Sequence, residues 1–219
     1  MTGLISTAIP NRSDVTIKLA STSDELMQCF ALRAAVYMGE QHCPYREEFD
    51  GNDYSASHLI LYVKGEPAAC MRLRWFEGFV KFERAVFLKR YRSMGLFLPF
   101  LSWAKEFARK KGYPKVVLHS QHRLWRIMQR GGYRKLDDKV FHFSDHEYGT
   151  FVCDLEVDET NRPTVHTHPM VLNRPEDQLY RPGILEKSME RAPTNPHAER
   201  ARHRTTTADH ADHAGQRTH

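Results

Sequence analysis

Residues 83–101 constrain the fold most strongly, because they join a strand to a helix through a short basic turn. Their sequence is ERAVFLKRYRSMGLFLPFL. Val80 to Phe87 reads as a strand, and the apolar residues after the turn recur at helical period. A helix that starts directly after a turn leaves main-chain N–H groups without partners at the positive end of its dipole. The segment therefore predicts an anion site suited to a pyrophosphate, to which Arg90 and Arg92 add charge. An ordinary strand-to-helix connection with solvated arginines is the alternative.

The remaining patterns predict a mixed α+β domain. Thr22 and Glu25 have capping-box spacing, and the helix that they begin is expected to end near Gly39. The predicted strands are 15–20, 58–63, 68–76, 79–87, 115–119, 139–144 and 149–155. Further helices are expected at 95–111 and around Leu124 to Met128. The order is strand, helix, three-stranded meander, helix, strand, helix and two strands, which gives a mostly antiparallel central sheet flanked by helices.

The strand and turn resemble the coenzyme A signature of the GNAT acetyltransferase superfamily, whose usual form is E-R-x-x-V-x-x-x-Y-R-G-x-G-x-G. The positions in register are Glu83, Arg84, Phe87 (for the usual Val), Tyr91, Arg92 and Gly95. Ser93 replaces the first Gly, and Phe97 replaces the last Gly or Ala, where a bulky ring would crowd a pyrophosphate. The predicted order of elements over residues 15–157 is also similar to that of the superfamily.

This resemblance implies an acyl-coenzyme A N-acyltransferase, expected to be an N-acetyltransferase with acetyl-CoA as cosubstrate and no metal. The acceptor would be an amine of a small molecule or of a protein. The strand ending at Phe87 is expected to separate from strand 115–119, with the pantetheine arm in the gap beside Val86, Phe87 and Leu88. The expected phosphate-binding amides are those of Arg92, Ser93, Met94, Gly95, Leu96 and Phe97.

Catalytic candidates follow from the same resemblance. Many members carry a glutamate at the position of Glu83 that accepts the amine proton, and alternation back from Phe87 predicts that Glu83 faces the cofactor side. The alternative is a surface strand residue paired with Arg84 or Lys81. The usual Tyr proton donor is replaced by Met128, which cannot donate a proton. His119 and Ser120 are candidate replacements, although Ser120 would also suit a helix cap, and a thiolate can leave unassisted.

Residues 40–57 read as a loop with five acidic side chains. Arg33 lies on the apolar face of the preceding helix, which is unusual for a packing surface. Arg33, Glu48, Asp50 and Asp53 are therefore candidate substrate-binding residues, with the carboxylates recognising a cationic amine. A solvated charge run is the alternative. The motifs around them resemble a small bacterial subgroup of GNAT acetyltransferases.

Two alternatives stay open at this stage. The region before the meander is also similar to acyl-homoserine-lactone synthases, which share the fold and use an acyl carrier protein as donor and S-adenosylmethionine as the amine. Phe97 and Met128 would instead fit a binding-only member that senses coenzyme A without turnover.

Composition narrows the class of protein. The net charge of +5 is spread along the chain, which disfavours nucleic acid as the main partner, and no apolar run is long enough to span a bilayer. Four scattered cysteines and the lack of a signal-peptide pattern predict a cytoplasmic protein.

Three regions are predicted along the chain. They are an N-terminal arm (1–14), the acyltransferase domain (15–157) and a low-order tail (158–219) rich in Pro, His and Arg. A homodimer is possible.

Overall fold

A computed structural model describes residues 14–143, 145–188 and 191–192, so the predicted N-terminal arm lies outside the described residues except for Asp14. The described chain contains a seven-stranded sheet in the order β1-β2-β3-β4-β5-β7-β6. Its strands are β1 (Val15–Leu19), β2 (Ser57–Val63), β3 (Glu66–Phe76), β4 (Phe79–Phe87), β5 (Lys115–Gln121), β6 (Arg134–Phe143) and β7 (His146–Asp154). The β4–β5 pairing is parallel and the other five are antiparallel. The predicted mixed α+β class is confirmed.

Helices lie on both faces of this sheet. They are α1 (Ser23–Arg33), α2 (Tyr45–Glu48), α3 (Phe97–Lys110) and α4 (Trp125–Arg130). The predicted first helix does reach Gly39, but its last part, Ala34–Glu40, is π-helical. The predicted loop 40–57 contains α2 and a 3-10 turn at Asp53–Ser55. Because β6 changes register between Lys135 and Val140, its alternation is broken, and sequence reading missed its first five residues.

The core is divided between the two faces of the sheet. Leu59 and Leu61 of β2 pack into the cluster that contains Phe100 of α3, whereas Ile60 packs into the cluster formed with Cys29 and Leu32 of α1. This distribution follows the alternation of side chains along a strand. The central part of the sheet is thus buried on both faces, whereas β6 at its edge is largely exposed.

A second compact unit follows, with the boundary between His166 and Thr167. It contains α5 (Pro169–Leu172) and α6 (Ile184–Lys187). Glu186 holds this unit together locally, because it accepts hydrogen bonds from Arg174 Nε and from the Gly183 N–H, both at 2.6 Å. The tail predicted from residue 158 therefore contains short helices in its described part.

The described residues also show whether a helix could span a membrane and the state of the cysteines. No helix among the described residues combines the length and apolar character needed to cross a membrane. The four cysteines, all within the described residues, are free thiols.

The start of α1 shows half of the predicted capping box. Thr22 Oγ1 accepts a hydrogen bond from the Glu25 N–H at 3.2 Å. The Glu25 carboxylate accepts from the Ser21 N–H at 2.8 Å, one residue earlier than the motif predicts, and from Lys18 Nζ at 2.6 Å. Burial raises the pKa of Glu25, but these hydrogen bonds outweigh it and lower the pKa to about 2.

We expect E25Q to lose about 1 kcal/mol of unfolding free energy at pH 7, because the ion pair is partly open to solvent. The folded pKa lies below the unfolded one, so this stabilisation is present above about pH 4.5 and is lost as the pH falls towards 2. Urea unfolding at several pH values measures it, with E77Q in the exposed β3–β4 turn as control. A difference that stays constant down to pH 2 would contradict this assignment.

Candidate active site

The sheet opens between β4 and β5. The two strands pair at three positions, Val80 with Val116, Lys81 with Val117 and Phe82 with Leu118. Beyond Phe82, β4 continues along β3 to Phe87, and beyond Leu118, β5 continues along β7 to Gln121. The strands therefore separate and leave a cleft, which matches the gap that the resemblance implied.

A β-bulge shapes the β4 side of this cleft. The register between β3 and β4 shifts between Cys70 and Arg72, and Arg84 on β4 has φ of 52°, a left-handed conformation that is uncommon outside glycine. Glu83, Arg84 and Ala85 all line the cleft as a result. Glu83 thus lies where it was predicted, but the alternation argument that placed it there was wrong, since the bulge interrupts the two-residue period.

The cleft holds a cavity of about 160 Å³. One part of its lining is apolar and comes mainly from α3 and the segment around α4. These residues include Phe97, Leu101, Leu124 and Met128. The rest of the lining carries most of the polar groups and comes from the π-helical segment and the loop that follows it, the bulge, the end of β5 and the start of β7. These residues are Tyr37, Gln41, Glu83, Arg84, His119, Ser120, Gln121, Arg123 and Tyr148.

Two fully buried arginines lie behind the bulge. Arg33 Nε lies 2.5 Å from Glu48 Oε1, and Arg33 Nη1 lies 2.5 Å from Asp53 Oδ1. Arg72 Nη1 contacts Asp50 Oδ1 at 2.8 Å and Asp53 Oδ1 at 3.0 Å. Buried charges are stable only when they are paired in this way. We call these five residues the arginine–carboxylate network.

The carboxylates predicted to bind a substrate are instead paired with arginines of the network. Glu48 is fully buried, and Asp50 and Asp53 already bind Arg72. Burial raises the pKa of Asp50, but the hydrogen bond from Arg72 outweighs it, and the net shift is downward. The pKa of Asp53 is lowered in the same way, whereas burial raises the pKa of Glu48 despite the hydrogen bond from Arg33. Asp50 and Asp53 are thus ionised partners of arginines and not a solvated run. Their direct contact with a cationic amine stays a prediction.

Glu83 connects this network to the cavity. Its Oε1 lies 2.7 Å from Arg72 Nη2, and its Oε2 lies 2.7 Å from Lys81 Nζ. Burial raises the pKa of Glu83, but the hydrogen bonds and charges of Lys81 and Arg72 more than offset this, so the pKa is lowered. Glu83 is therefore an oriented carboxylate that is ionised at neutral pH.

His119 and Ser120 lie across the cleft from Glu83, near the end of β5. Burial lowers the pKa of His119 and nearby Lys81 lowers it further, while the charge of Glu83 partly offsets the shift. His119 is therefore neutral at pH 7, with Nδ1 at 3.3 Å from Thr150 Oγ1. Ser120 is buried within the strand and does not cap a helix, because the following 3-10 turn begins after Gln121.

The predicted phosphate turn is open towards a ligand. Among the described residues, no acceptor pairs with the main-chain N–H groups of Ser93, Gly95, Leu96 and Phe97. Arg92 and Met94 differ, because their N–H groups donate to Lys89 O and Tyr91 O. Gly95 has φ of 67°, which only glycine adopts without strain. Four of the six predicted amides are thus available at the start of α3.

The Phe97 ring turns towards the sheet. It packs edge to face against Phe87 with the ring centroids 6.0 Å apart, and it lines the cavity. The Arg92 side chain also points back, since Nε donates to Phe87 O at 2.8 Å and Nη2 lies 2.7 Å from Glu40 Oε2. Phe97 therefore forms part of the cleft wall.

Comparisons with solved structures agree with this geometry. An acyl-CoA N-acyltransferase from Pseudomonas aeruginosa is 28% identical, with a TM-score of 0.58 over 64% of this chain and 98% of that one. The coenzyme A-dependent acyl-homoserine lactone synthase BjaI has a TM-score of 0.57 over 65% of this chain and 84% of that one. Its 15% identity shows a shared fold alone.

Comparisons with known sequences decide the family. YjcF of Bacillus subtilis (strain 168), named an uncharacterized N-acetyltransferase, is 28% identical over 123 residues, which are 56% of this chain and 88% of that protein. YyaT of the same organism, named an uncharacterized protein, is 30% identical over 123 residues, 55% of this chain and 83% of that protein. The chain belongs to the GNAT acetyltransferase superfamily. No protein-family model matches it.

The three residues predicted to contact the pantetheine arm of a GNAT protein differ in how far their main-chain groups are already paired. The Leu88 N–H donates to Ala68 O of β3 at 3.0 Å, and Leu88 O accepts from the Tyr91 N–H at 2.8 Å. Phe87 O accepts from Arg92. Val86 is buried in the core cluster on the α1 side. Contacts of these residues with pantetheine stay a prediction, and Leu88 is the least available of the three.

Sequence reading missed a tyrosine in the cavity. Met128, at the usual GNAT tyrosine position, is buried and lines the cavity without a polar group. Tyr148 of β7 pairs directly with Gln121 of β5, and its hydroxyl accepts a hydrogen bond from Gln121 Nε2 at 2.9 Å. The accepting role leaves the hydroxyl proton free to be donated. Only the β5–β7 register brings Tyr148 to this place.

We expect R72M to lose roughly 3–5 kcal/mol of unfolding free energy, because it removes the fully buried cation that binds the carboxylates of Asp50, Asp53 and Glu83. R74M is the control, since Arg74 is partly exposed and lies 3.8 Å from Glu83. It should lose less than about 1 kcal/mol. Urea unfolding of both variants measures the difference. Equal stability of R72M and R74M would show that the network does not support the fold.

Proposed function

We propose that this GNAT protein transfers an acetyl group from acetyl-CoA to a primary amine. The observation that carries the proposal is the cleft between β4 and β5. It places an ionised Glu83 and a neutral His119 in one cavity, whose wall includes Phe97, the first residue of α3. The free N–H groups of the turn that leads into α3 suit the pyrophosphate of the donor. The cavity would then receive the thioester and the amine.

The proposed reaction is direct acyl transfer. The neutral amine nitrogen attacks the thioester carbonyl carbon, a C–N bond forms, the C–S bond breaks, and the coenzyme leaves as a thiolate. The amine loses one proton to Glu83, directly or through water, while the thiolate gains one and becomes the free thiol. Most of the rate enhancement would come from holding the two reactants together.

Tyr148 is the proposed source of the second proton. It lines the same cavity as Glu83, and Gln121 orients its hydroxyl. Ser120 is a weaker candidate, because its hydroxyl is buried and lies 3.4 Å from Gln121 O, to which it donates. His119, being neutral, is better suited to accept a proton than to donate one.

We also propose a compartment, an acceptor class and an oligomeric state for the protein. Free cysteines fit the reducing cytoplasm. The acceptor is an amine of a small molecule or of a protein, and a homodimer stays a prediction.

Calorimetry and an acetyl-transfer assay with a panel of amines test the function. Micromolar binding of acetyl-CoA together with acetylation of at least one amine is the expected result. Binding without turnover across the panel would favour a coenzyme A sensor, for which Met128 at the tyrosine position is the motivating observation. No binding would favour an acyl carrier protein as donor with S-adenosylmethionine as amine, the alternative that the region before the meander suggested; BjaI, which shares the fold, is itself coenzyme A-dependent.

We expect E83Q to lower kcat/KM by roughly 10²–10⁴-fold with the fold intact, because the neutral amide cannot take the proton. Protonation of the free amine sets one acid limb of the kcat/KM profile, and the lowered pKa of Glu83 places the enzyme's own acid limb below about pH 4.5. H119N is the control and should keep that limb. An acid limb just below pH 6.5 that disappears in H119N would transfer the role of base to His119.

We expect Y148F to lower kcat by about 10- to 100-fold with acetyl-CoA, because the thiolate loses its proton donor. A donor with a more acidic thiol leaving group should reduce this loss, since it needs no protonation. Y45F, which changes an exposed tyrosine of α2, is the control. An equal loss with both donors would show that Tyr148 acts in another step.

A further inference from the structure

We propose that the acceptor amine also carries an anionic oxygen group, a carboxylate or a phosphate, and that Arg84 and Arg123 bind it. This inference rests on the proposed acyl transfer and specifies its substrate class. The acidic loop suggested a substrate recognised by its positive charge, whereas this inference assigns recognition to a negative group. It follows from the charged side chains that line the cavity.

The acidic side chains do not supply free negative charge to the cavity. Glu83 is the sole carboxylate among the described residues that line it, and Arg72 and Lys81 both bind that carboxylate. Glu48, Asp50 and Asp53 lie behind the bulge and bind arginines. The cavity would therefore offer little electrostatic attraction to a second positive charge on a substrate.

Arg84 presents positive charge from the bulge. Its Nη2 donates to Glu47 O at 2.6 Å and contacts Asp50 Oδ2 at 3.3 Å. Its Nε lies 3.2 Å from Glu48 Oε2 without an aligned hydrogen bond. No acceptor among the described residues binds Nη1, and about a quarter of the side chain is exposed. Its fixed backbone and these contacts hold one side of the guanidinium and leave the other for a ligand.

Arg123 presents positive charge from the end of β5. Its Nε donates to Gln121 Oε1 at 2.7 Å, and the same Gln121 donates to Tyr148. Within the described part of the chain, no carboxylate forms an ion pair with Arg123, although it lines the cavity. Gln121 thus holds this guanidinium beside Tyr148, and no acceptor among the described residues binds either Nη group.

The charged groups around the cavity favour a substrate that carries an anionic group. Arg123 lines the cavity without an ion-pair partner among the described residues, and Arg84 lines it with Nη1 unengaged, although its other nitrogens lie beside Glu48 and Asp50. The single lining carboxylate, Glu83, is bound by Arg72 and Lys81, and His119 is neutral. Guanidinium groups bind carboxylate and phosphate in a planar, two-point geometry. An amino acid or an amine phosphate would place its anionic group on the arginines and its amine towards Glu83. The arginines would then act as specificity-determining residues.

Matched amine pairs test this inference in the full chain. One pair is L-methionine and 3-(methylthio)propylamine, and the other is O-phosphoethanolamine and ethanolamine. In at least one pair the anionic member should have a kcat/KM about 10- to 100-fold higher, as expected for one charged hydrogen-bonded contact. The pair with the higher ratio distinguishes carboxylate from phosphate.

R123Q should reduce that ratio about tenfold, mainly by raising KM for the anionic member. R126Q is the matched control, because Arg126 is exposed on α4 and does not line the cavity. Ratios near one in both pairs would overturn the inference, as would an equal loss for both members in R123Q. If the wild type acetylates only neutral amines, the inference fails while the proposed function stands. Failure to acetylate any amine would contradict both the inference and the proposed function.

Discussion

The pairing of Arg33 and Arg72 with carboxylates determines how the rest of the site is built. Both guanidinium groups are fully buried, and a buried charge without a partner costs several kcal/mol. The chain from Glu48 to Asp53 must therefore fold against β3, and Glu83 must face Arg72. One set of ion pairs thus fixes the loop, the bulge and the candidate base together. This arrangement orients Glu83 but lowers its basicity.

Strand separation and the bulge then convert this framework into a cleft. The β4–β5 ladder ends after Phe82, and a left-handed Arg84 turns three successive residues towards the opening. A strained residue at such a place is typical of a functional site. The strain is supported by contacts of the Arg84 side chain with Glu47 and Asp50. A protein that had only to pack its sheet would continue the ladder.

Local features of the chain were predictable, whereas features that depend on distant partners were not. The strand, turn and helix of residues 83–101 were predicted because each depends on neighbouring residues, and four of the six turn amides have no acceptor among the described residues. The face of Glu83 was predicted for the wrong reason, because a bulge leaves no mark in the alternation. The acidic loop was read as solvated or substrate-binding, since its partner Arg72 lies about twenty residues away.

The sequence by itself determined the superfamily, the mixed sheet and the turn that leads into α3, because hydrophobic period and turn chemistry depend on contiguous residues. Tertiary structure alone decided the electrostatics of the cavity. It paired Asp50 and Asp53 with buried arginines, brought Tyr148 opposite Gln121 through strand register, and left Arg84 and Arg123 facing the opening. The physical reason is that charge depends on which groups meet across the fold, and no local pattern encodes that meeting.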